Sequence, residues 1–478
     1  MHKVQEGIPI VGKTWFTTLV LAIFLLMPTS SQAQQEESVD AFVAWAREYA
    51  IPIATIEPGR GFEDLQPLKD IVGSARVVGL GESVHAAHEF YRVRHRLLEF
   101  FVEELGFTAF AMETGFAEAV KINDYVLGRR EEPESWKGNW FTWGFGYEEE
   151  LIELVHWMRR YNEDPAHGRK LHFYGLDVPT LYSSPLTAIE GVWTYLEEVD
   201  PDYAASSRHT LLPLVEPFLG QGGGVRRVSV DKYKQLPEEA HAAYTAAIAE
   251  LIARFETWRV YYIHRSSEEA YAWAYRQAVF SRQLDRGFRD LIVFEDLIAD
   301  LPSDADLPSV GGSRVELVSP RDAGMAENLM WALQREGPDG RIVVWAHNTH
   351  LQKSPQLWRG GSMTRLGEYA ESMLGADYLS IGFTYSQGTP SGWVSYQTEI
   401  SKPSPPGSLD EGLGMVGLPL FLLDLRHAPR EGPVHEWLNQ EREQRGSALP
   451  PHQVNPAKAW DVLFHIDRIS PARVYKPD

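Results

Sequence analysis

Val77-Val78-Gly79-Leu80-Gly81-Glu82-Ser83-Val84-His85 is the stretch from which the rest of the chain can be read. Its first residues are apolar or β-branched, glycines punctuate it, and it stops on a carboxylate and an imidazole. That pattern reads as a short buried strand, and residues 86–105 read as the helix it feeds. A strand that ends in ionisable groups and turns into a helix is how an α/β protein presents chemistry at the edge of its sheet.

In that helix Phe90, Val93, Leu97, Leu98, Phe101 and Leu105 recur at helical spacing and mark the buried face. Arg94 falls inside the stripe. A guanidinium there needs a carboxylate or a bound anion, because an unpaired buried charge is too costly, unless it snorkels to the helix edge. Arg92, His95 and Arg96 are expected on a solvated face.

The arrangement recurs. Residues 107–112 form a second strand stopping at Glu113, followed by a helix over 117–127 with Gly128 as its cap. After the aromatic segment 136–147 come a helix over 148–161 and a third strand, 171–176, stopping at Asp177. From about Pro201 to Asp300 strand-like runs vanish and long helical periodicity takes over. The loop Gly220-Gln221-Gly222-Gly223-Gly224 lacks the Lys-Ser/Thr of a phosphate-binding loop. Beyond the acidic, Pro/Gly-rich link 301–314 and the short run 315–318, Arg321 leads into a helix over 325–333. Strand 341–346 ends in His347-Asn348-Thr349-His350, and a strand over 378–383 is expected to close the core. Upstream, an amphipathic helix carries Phe42, Trp45, Ala46 and Tyr49.

The expected fold class is therefore α/β: a layered helix–sheet–helix core with a mostly parallel or mixed sheet, plus an all-α helical insertion. The expected division is a leader over 1–33, a first α/β half over 34–200 and the insertion over 201–310. A second α/β half over 311–400 and a C-terminal segment over 401–478 complete the core.

Composition narrows the function. The 478 residues include 45 basic and 66 acidic side chains, a formal net charge of −21 that repels phosphate backbones and argues against nucleic acid as a partner. Zero cysteines exclude disulfides, thiol catalysis and zinc–thiolate sites. Lys3 and Lys13 precede an apolar run over 15–27, and small polar residues lead to Ala33: the grammar of a cleaved export signal. The run is short for a membrane span of ~20 residues. A periplasmic or secreted protein with no membrane contact after cleavage is expected.

If the sheet is mostly parallel, Glu82, His85, Glu113, Asp177, His347 and His350 gather along one edge with Arg94 and Arg321. Two imidazoles, two or three carboxylates and one or two guanidiniums make a proton-transfer site able to hold an anion.

Gly81-Glu82-Ser83-Val84-His85, Glu89-Phe90, Arg94, Met112-Glu113, Phe173-Tyr174-Gly175-Leu176-Asp177, Arg321-Asp322-Ala323-Gly324-Met325 and Trp345-Ala346-His347-Asn348-Thr349-His350 occur in this order. In this the chain resembles the erythromycin esterase family. The resemblance implies a hydrolase that opens the macrolactone ester of erythromycin-like antibiotics without a bound metal or other cofactor. It makes His85 the general base that activates water, with Glu82 and Glu113 orienting the base and the water. Arg94, Arg321, His347 and His350 would complete the polar cluster and stabilise the oxyanion. Where the family usually has Thr before this His and Gly after it, this chain has Val84 and Ala86.

Three other readings stand beside it. Residues 81–85 fall one residue short of a G-x-S-x-G nucleophile elbow, which would make Ser83 the nucleophile. His85, His88, Glu89, Glu113, His347 and His350 could serve a metal-assisted hydrolase of another ester or lactone, although no H-E-x-x-H is present. The aromatic insertion could instead be the pocket of an exported protein that binds haem or a hydrophobic ligand.

Overall fold

A computed structural model describes residues 30–138, 140–180, 182–220, 227–298, 316–358, 361–390, 403–446 and 452–477. Residues 1–29 of the expected leader, nearly all of the glycine loop at 220–224 and the link at 301–314 lie outside the described residues. No helix among the described residues is long and apolar enough to cross a membrane.

In chain order the strands are β1 (Ile51–Pro52), β2 (Val77–Leu80), β3 (Ala109–Gly115), β4 (His172–Asp177), β5 (Glu316–Val318), β6 (Ile342–Trp345), β7 (Gln356–Trp358), β8 (Gly361–Thr364), β9 (Tyr378–Gly388), β10 (Leu420–Asp424), β11 (Arg442–Gln444), β12 (His452–Val454) and β13 (Val462–Ile469). Eight of them form one sheet in the order β1-β10-β13-β9-β2-β6-β3-β4. From β13 to β4 every neighbouring pair is parallel, while β10 runs antiparallel to both β13 and β1. The sheet is mostly parallel with an antiparallel edge, within the expected mostly parallel or mixed class. The strand expected to close the core, β9, is instead interior, because the C-terminal strands β13 and β10 continue the sheet beyond it.

The period of two along each strand sorts the core into two layers. Val78, Leu80, Phe110, Met112, Val343 and Trp345 face one side, packed under the helices His88–Leu105 and Glu149–Glu163. Val77, Ala109, Ala111, Ile342 and Val344 face the other, with Phe42 of the helix Ser30–Tyr49 and Met325 and Leu329 of the helix Pro320–Glu336. This is the expected helix–sheet–helix layering. Gly106, at φ 69°, takes the left-handed conformation that ends the first of these helices directly before β3.

Between β4 and β5 the long helices Glu238–Arg265 and Glu268–Ile298 pack with Pro185–Val199 and Pro201–Val215 around a separate core. Tyr244, Phe255, Tyr262, Phe280 and Phe288 fill that core with almost no exposure. The helix Pro185–Val199 thus belongs with the insertion in packing terms. The strands β11-β12-β7-β8-β5 form a second, five-stranded sheet, which the sequence reading did not anticipate.

The solvated face expected on the helix His88–Leu105 is a second correction. His95 and Arg96 are buried. Residues 53–65 fold across that face, where Arg96 donates to Asp64 Oδ1 at 2.6 Å and to the carbonyls of Thr55 and Gly61. Helical spacing reveals which residues share a face, but not that a non-regular segment covers it.

Candidate active site

Four adjacent parallel strands, β2, β6, β3 and β4, point their C-terminal ends the same way. The chain just past β2 and β6 supplies Glu82, His85, His347 and His350, and the ends of β3 and β4 supply Glu113 and Asp177. Glu113 sits inside β3 rather than past its end. The β3–β4 register shifts between Met112 and Gly115, an irregularity of the kind that re-aims a side chain.

Glu82 is buried and divides its two oxygens. Oε1 lies 2.5 Å from His85 Nδ1, and Oε2 accepts from Arg94 Nη2 at 2.5 Å. Burial alone would raise the Glu82 carboxyl, but Arg94 and His85 hold it below its usual range. Arg94 has no exposed side-chain surface. It also donates to the Phe90 carbonyl at 2.9 Å and lies 3.5 Å from the centre of the Trp345 ring. The guanidinium on the apolar stripe thus has its carboxylate, and it does not reach the cleft.

His85 keeps 14% of its side chain exposed. Burial pulls its pKa down, but Glu82, and at longer range Glu113, more than offset this and raise it above the usual 6.5. With Nδ1 on Glu82, Nε2 is the nitrogen left to meet an incoming molecule. Phe145 packs edge-on against the ring with centroids 5.6 Å apart. The turn carrying His85 is strained: Ala86 has φ 62°, in the left-handed region that glycine enters freely and alanine does not. The C-terminal segment clamps it, with Ala472 N–H donating to the Ala86 carbonyl at 3.0 Å and His88 N–H to that of Ser470 at 2.9 Å.

His347 lies beside His85, ring centroids 5.3 Å apart. Its Nε2 is 2.9 Å from the Ser83 carbonyl, which can only accept, so Nε2 carries the hydrogen. Nδ1 then accepts from Thr349 N–H at 3.2 Å. Burial and the neighbouring His85 push the His347 pKa down to about 3, so the ring is neutral and holds the turn instead of offering a proton to the cleft. Ser83 Oγ is buried and bonded to no described residue, and it has no histidine partner to activate it.

Glu113 links the remaining groups. Oε2 accepts from His347 N–H at 2.8 Å, and Oε1 accepts from Arg321 Nη2 at 2.6 Å with His350 Nε2 at 3.4 Å. Burial would raise this carboxyl, but His350 and Arg321 hold it well below its usual range. His350 Nδ1 is 2.6 Å from Asp322 Oδ1. Held between two carboxylates, His350 is raised to about 8 despite burial, which works the other way.

Arg321 donates through Nε to Asp177 Oδ1 at 2.6 Å, and Trp143 Nε1–H reaches Asp177 Oδ2 at 2.5 Å. The Trp143 ring lies 4.7 Å from the Arg321 guanidinium. The Ser319–Pro320 start of the helix explains Arg321's position: Ser319 Oγ caps the helix by accepting from Asp322 N–H, and proline fits the first turn.

All seven candidates, Glu82, His85, Arg94, Glu113, Arg321, His347 and His350, thus fall into one connected cluster. Of the cationic groups, Arg321, with 25% of its side chain exposed, faces solvent, whereas Arg94 does not. Sequence reasoning missed Asp322, Arg365 and Trp143 as members. Asp322 adjoins Arg321 in the sequence and could have been included. Arg365, which donates to Asp322 Oδ2 at 2.9 Å, follows the unanticipated strand β8 and carried no signal. Among the described residues no group of three or more His, Asp or Glu is disposed to hold a metal ion. His88, offered as a ligand, pairs with Glu150 at 2.6 Å instead.

The sequence model of a family described as erythromycin esterase matches residues 102–469. Erythromycin esterase type II of Escherichia coli is 27% identical over 447 residues, covering 91% of this chain and 99% of its own. A putative hydrolase of Bacillus subtilis, YbfO, is 24% identical over 98% of this chain and 99% of its own. A solved structure of an erythromycin esterase mutant in its open conformation superposes with a TM-score of 0.64 at 19% identity, covering 88% of this chain and 97% of that one, which shows the shared fold.

Proposed function

The chain belongs to the erythromycin esterase family, and on that premise we propose that it is a hydrolase that opens a macrolactone ester by His85-activated attack of water. The observation that carries this reading is the His85 ring: Nδ1 is fixed on a buried carboxylate at 2.5 Å, which leaves Nε2 unclaimed by Glu82 on a ring that stays partly exposed. Beside it stands a carboxylate tied to two cationic groups, Arg321 and His350.

In this reaction His85 Nε2 takes a proton from water as the water oxygen bonds to the ester carbonyl carbon. Glu82 stabilises the imidazolium that results, and Arg94 keeps Glu82 ionised. Arg321 and His350 supply positive charge where the carbonyl oxygen becomes an oxyanion. On collapse the ester C–O bond breaks and His85 returns its proton to the departing alkoxide, giving a ring-opened hydroxy acid. Arg94 and His347 are positioning residues in this scheme: one acts through Glu82, the other through the Ser83 carbonyl.

The substrate is a small-molecule ester, with export from the cell proposed from the leader at residues 1–33. The serine-nucleophile reading loses support because Ser83 Oγ is hydrogen-bonded to no histidine among the described residues. The haem or hydrophobic-ligand reading loses support because the aromatic rings of the insertion pack against each other.

The test is incubation with macrolides of several ring sizes and with simple esters, following mass gain of one water, with His85→Ala as control. Turnover of a macrolactone that disappears in His85→Ala supports the reading. Turnover confined to other esters leaves a hydrolase with a different substrate, and none at all overturns it.

A further inference from the structure

A cavity of about 190 Å³ opens against Arg321 on the side of the insertion. Its walls are Leu291 and Gly287 of the helix Glu268–Ile298, Val318 of β5, Met363 of β8, and Pro320 beside Arg321 itself. Three parts of the fold therefore meet there: the insertion, the second sheet and the catalytic edge of the main sheet. Gly287 has a purpose at this junction, since a Cβ there would collide with the Thr180 side chain just past β4.

The lining is mostly apolar. Asp290, its one carboxylate, lies 3.6 Å from Arg286 one turn away and so has a cation of its own. The cavity therefore has no uncompensated charge with which to attract an ion. Its size compares with the ~150 Å³ apolar cavity that accommodates benzene, so it suits a branched aliphatic or ring-sized arm.

The cavity meets the polar cluster at Arg321, and aromatic side chains link that residue to His85. Phe145 packs on His85 and Trp143 packs on Arg321, so the short segment 143–145 touches both side chains. Tyr182 extends it, its ring centroid 4.0 Å from that of Trp143.

We propose that the cavity of Leu291, Val318, Pro320 and Met363 beside Arg321 is a substrate subsite that takes a bulky apolar arm of the ester, and that these residues set the enzyme's selectivity for size. This rests on the hydrolase reading of the His85 site and adds where the body of the substrate lies. A substrate seated there places its polar carbonyl toward Arg321 and His85 while its hydrocarbon is removed from water.

The experiment compares the wild-type protein with Leu291→Trp and, separately, Val318→Trp, whose exposed position tolerates a larger side chain without unfolding the protein. Three esters serve as probes: a small acetate ester, one with a phenyl arm on the acyl side, and one with it on the alcohol side. The ratio of kcat/KM for one of the arylated esters to that for the acetate is expected to fall about 10- to 100-fold in the variants, as befits loss of a buried ring. An unchanged ratio for both arylated esters overturns the subsite and leaves the hydrolase reading intact. If the wild-type protein hydrolyses none of the three, the hydrolase reading is decided separately by its turnover of macrolactones. Calorimetric binding of the corresponding phenyl-bearing amides, which do not need turnover, then decides the subsite: weaker binding in the variants supports it, and equal affinity or no binding to the wild-type protein overturns it.

Discussion

Arg94 Nη2 and Glu82 Oε2 lie 2.5 Å apart with neither side chain exposed, so the carboxylate that holds His85 is ionised at the expense of burying a full ion pair. Removing one member of such a pair leaves the other charged and dry, which costs about 3–5 kcal/mol. Arg94→Met should therefore lower stability by about that amount, whereas Arg94→Met combined with Glu82→Gln should recover part of it. Denaturant titration of the four proteins in the cycle measures the coupling. Additive losses would mean that the pair is not a unit.

The pH dependence of turnover follows from the same pair. His85 must be neutral to accept a proton, and its pKa in the folded protein lies above 6.5. Activity should rise with pH along a limb centred above 6.5. In Glu82→Gln the carboxylate that raises the pKa is gone, so the limb should move to lower pH while the plateau rate falls. A limb that stays in place would detach the titration from this pair.

His350 makes a prediction about stability instead of rate. Its folded pKa of about 8 lies above its usual 6.5, so its pairing with Asp322 and Glu113 contributes fully below pH 6.5 and fades as the pH passes 8. A shift of that size is worth about 2 kcal/mol. The melting temperature of the wild-type protein should fall more steeply between those two pH values than that of His350→Asn. Parallel curves would contradict the imidazolium assignment.

Ala86 tests the strain in the turn. A left-handed conformation costs an alanine about 1–2 kcal/mol, part of which glycine gives back through its freer unfolded state. Ala86→Gly should be neutral to slightly stabilising, by up to about 1 kcal/mol, whereas Ala86→Val should destabilise clearly and depress turnover by displacing His85. Thermal melts and initial rates check both, and a tolerated valine would show that the turn does not need this φ.

Chelation addresses the metal-assisted alternative. No described group of three or more His, Asp or Glu is disposed as a metal site, so exhaustive chelation should leave turnover unchanged. A loss restored by one added divalent cation would revive that alternative.

Much of this molecule is legible from its sequence, for identifiable reasons. Strands such as residues 77–80 and 342–345 are buried on both faces and read as short apolar runs, and the ionisable residues just beyond them mark the sheet edge directly. The site residues Glu82, His85, Glu113, His347 and His350 are visible because chemistry at strand ends leaves a local trace. What was not visible depends on distant chain. Arg96 reads as solvated until residues 53–65 are laid over it. Arg365 enters the site only because a second sheet, built from five short strands with weak patterning, delivers it to Asp322. The places of Arg94 and His347 in the cluster likewise depend on the folded geometry. Their residue types suit an oxyanion, but their hydrogen atoms are directed at Glu82 and at the Ser83 carbonyl.

The most direct test of the account places His85→Ala beside Ser83→Ala on whichever ester the wild-type protein hydrolyses, with product mass and initial rate both measured. The account predicts a product heavier by one water from the wild-type protein and from Ser83→Ala at comparable rates, with His85→Ala slower by about 10²–10⁴-fold, the usual worth of a general base. A His85→Ala protein that keeps its rate, or a Ser83→Ala protein that loses it, would contradict the assignment of His85 as the base that activates water.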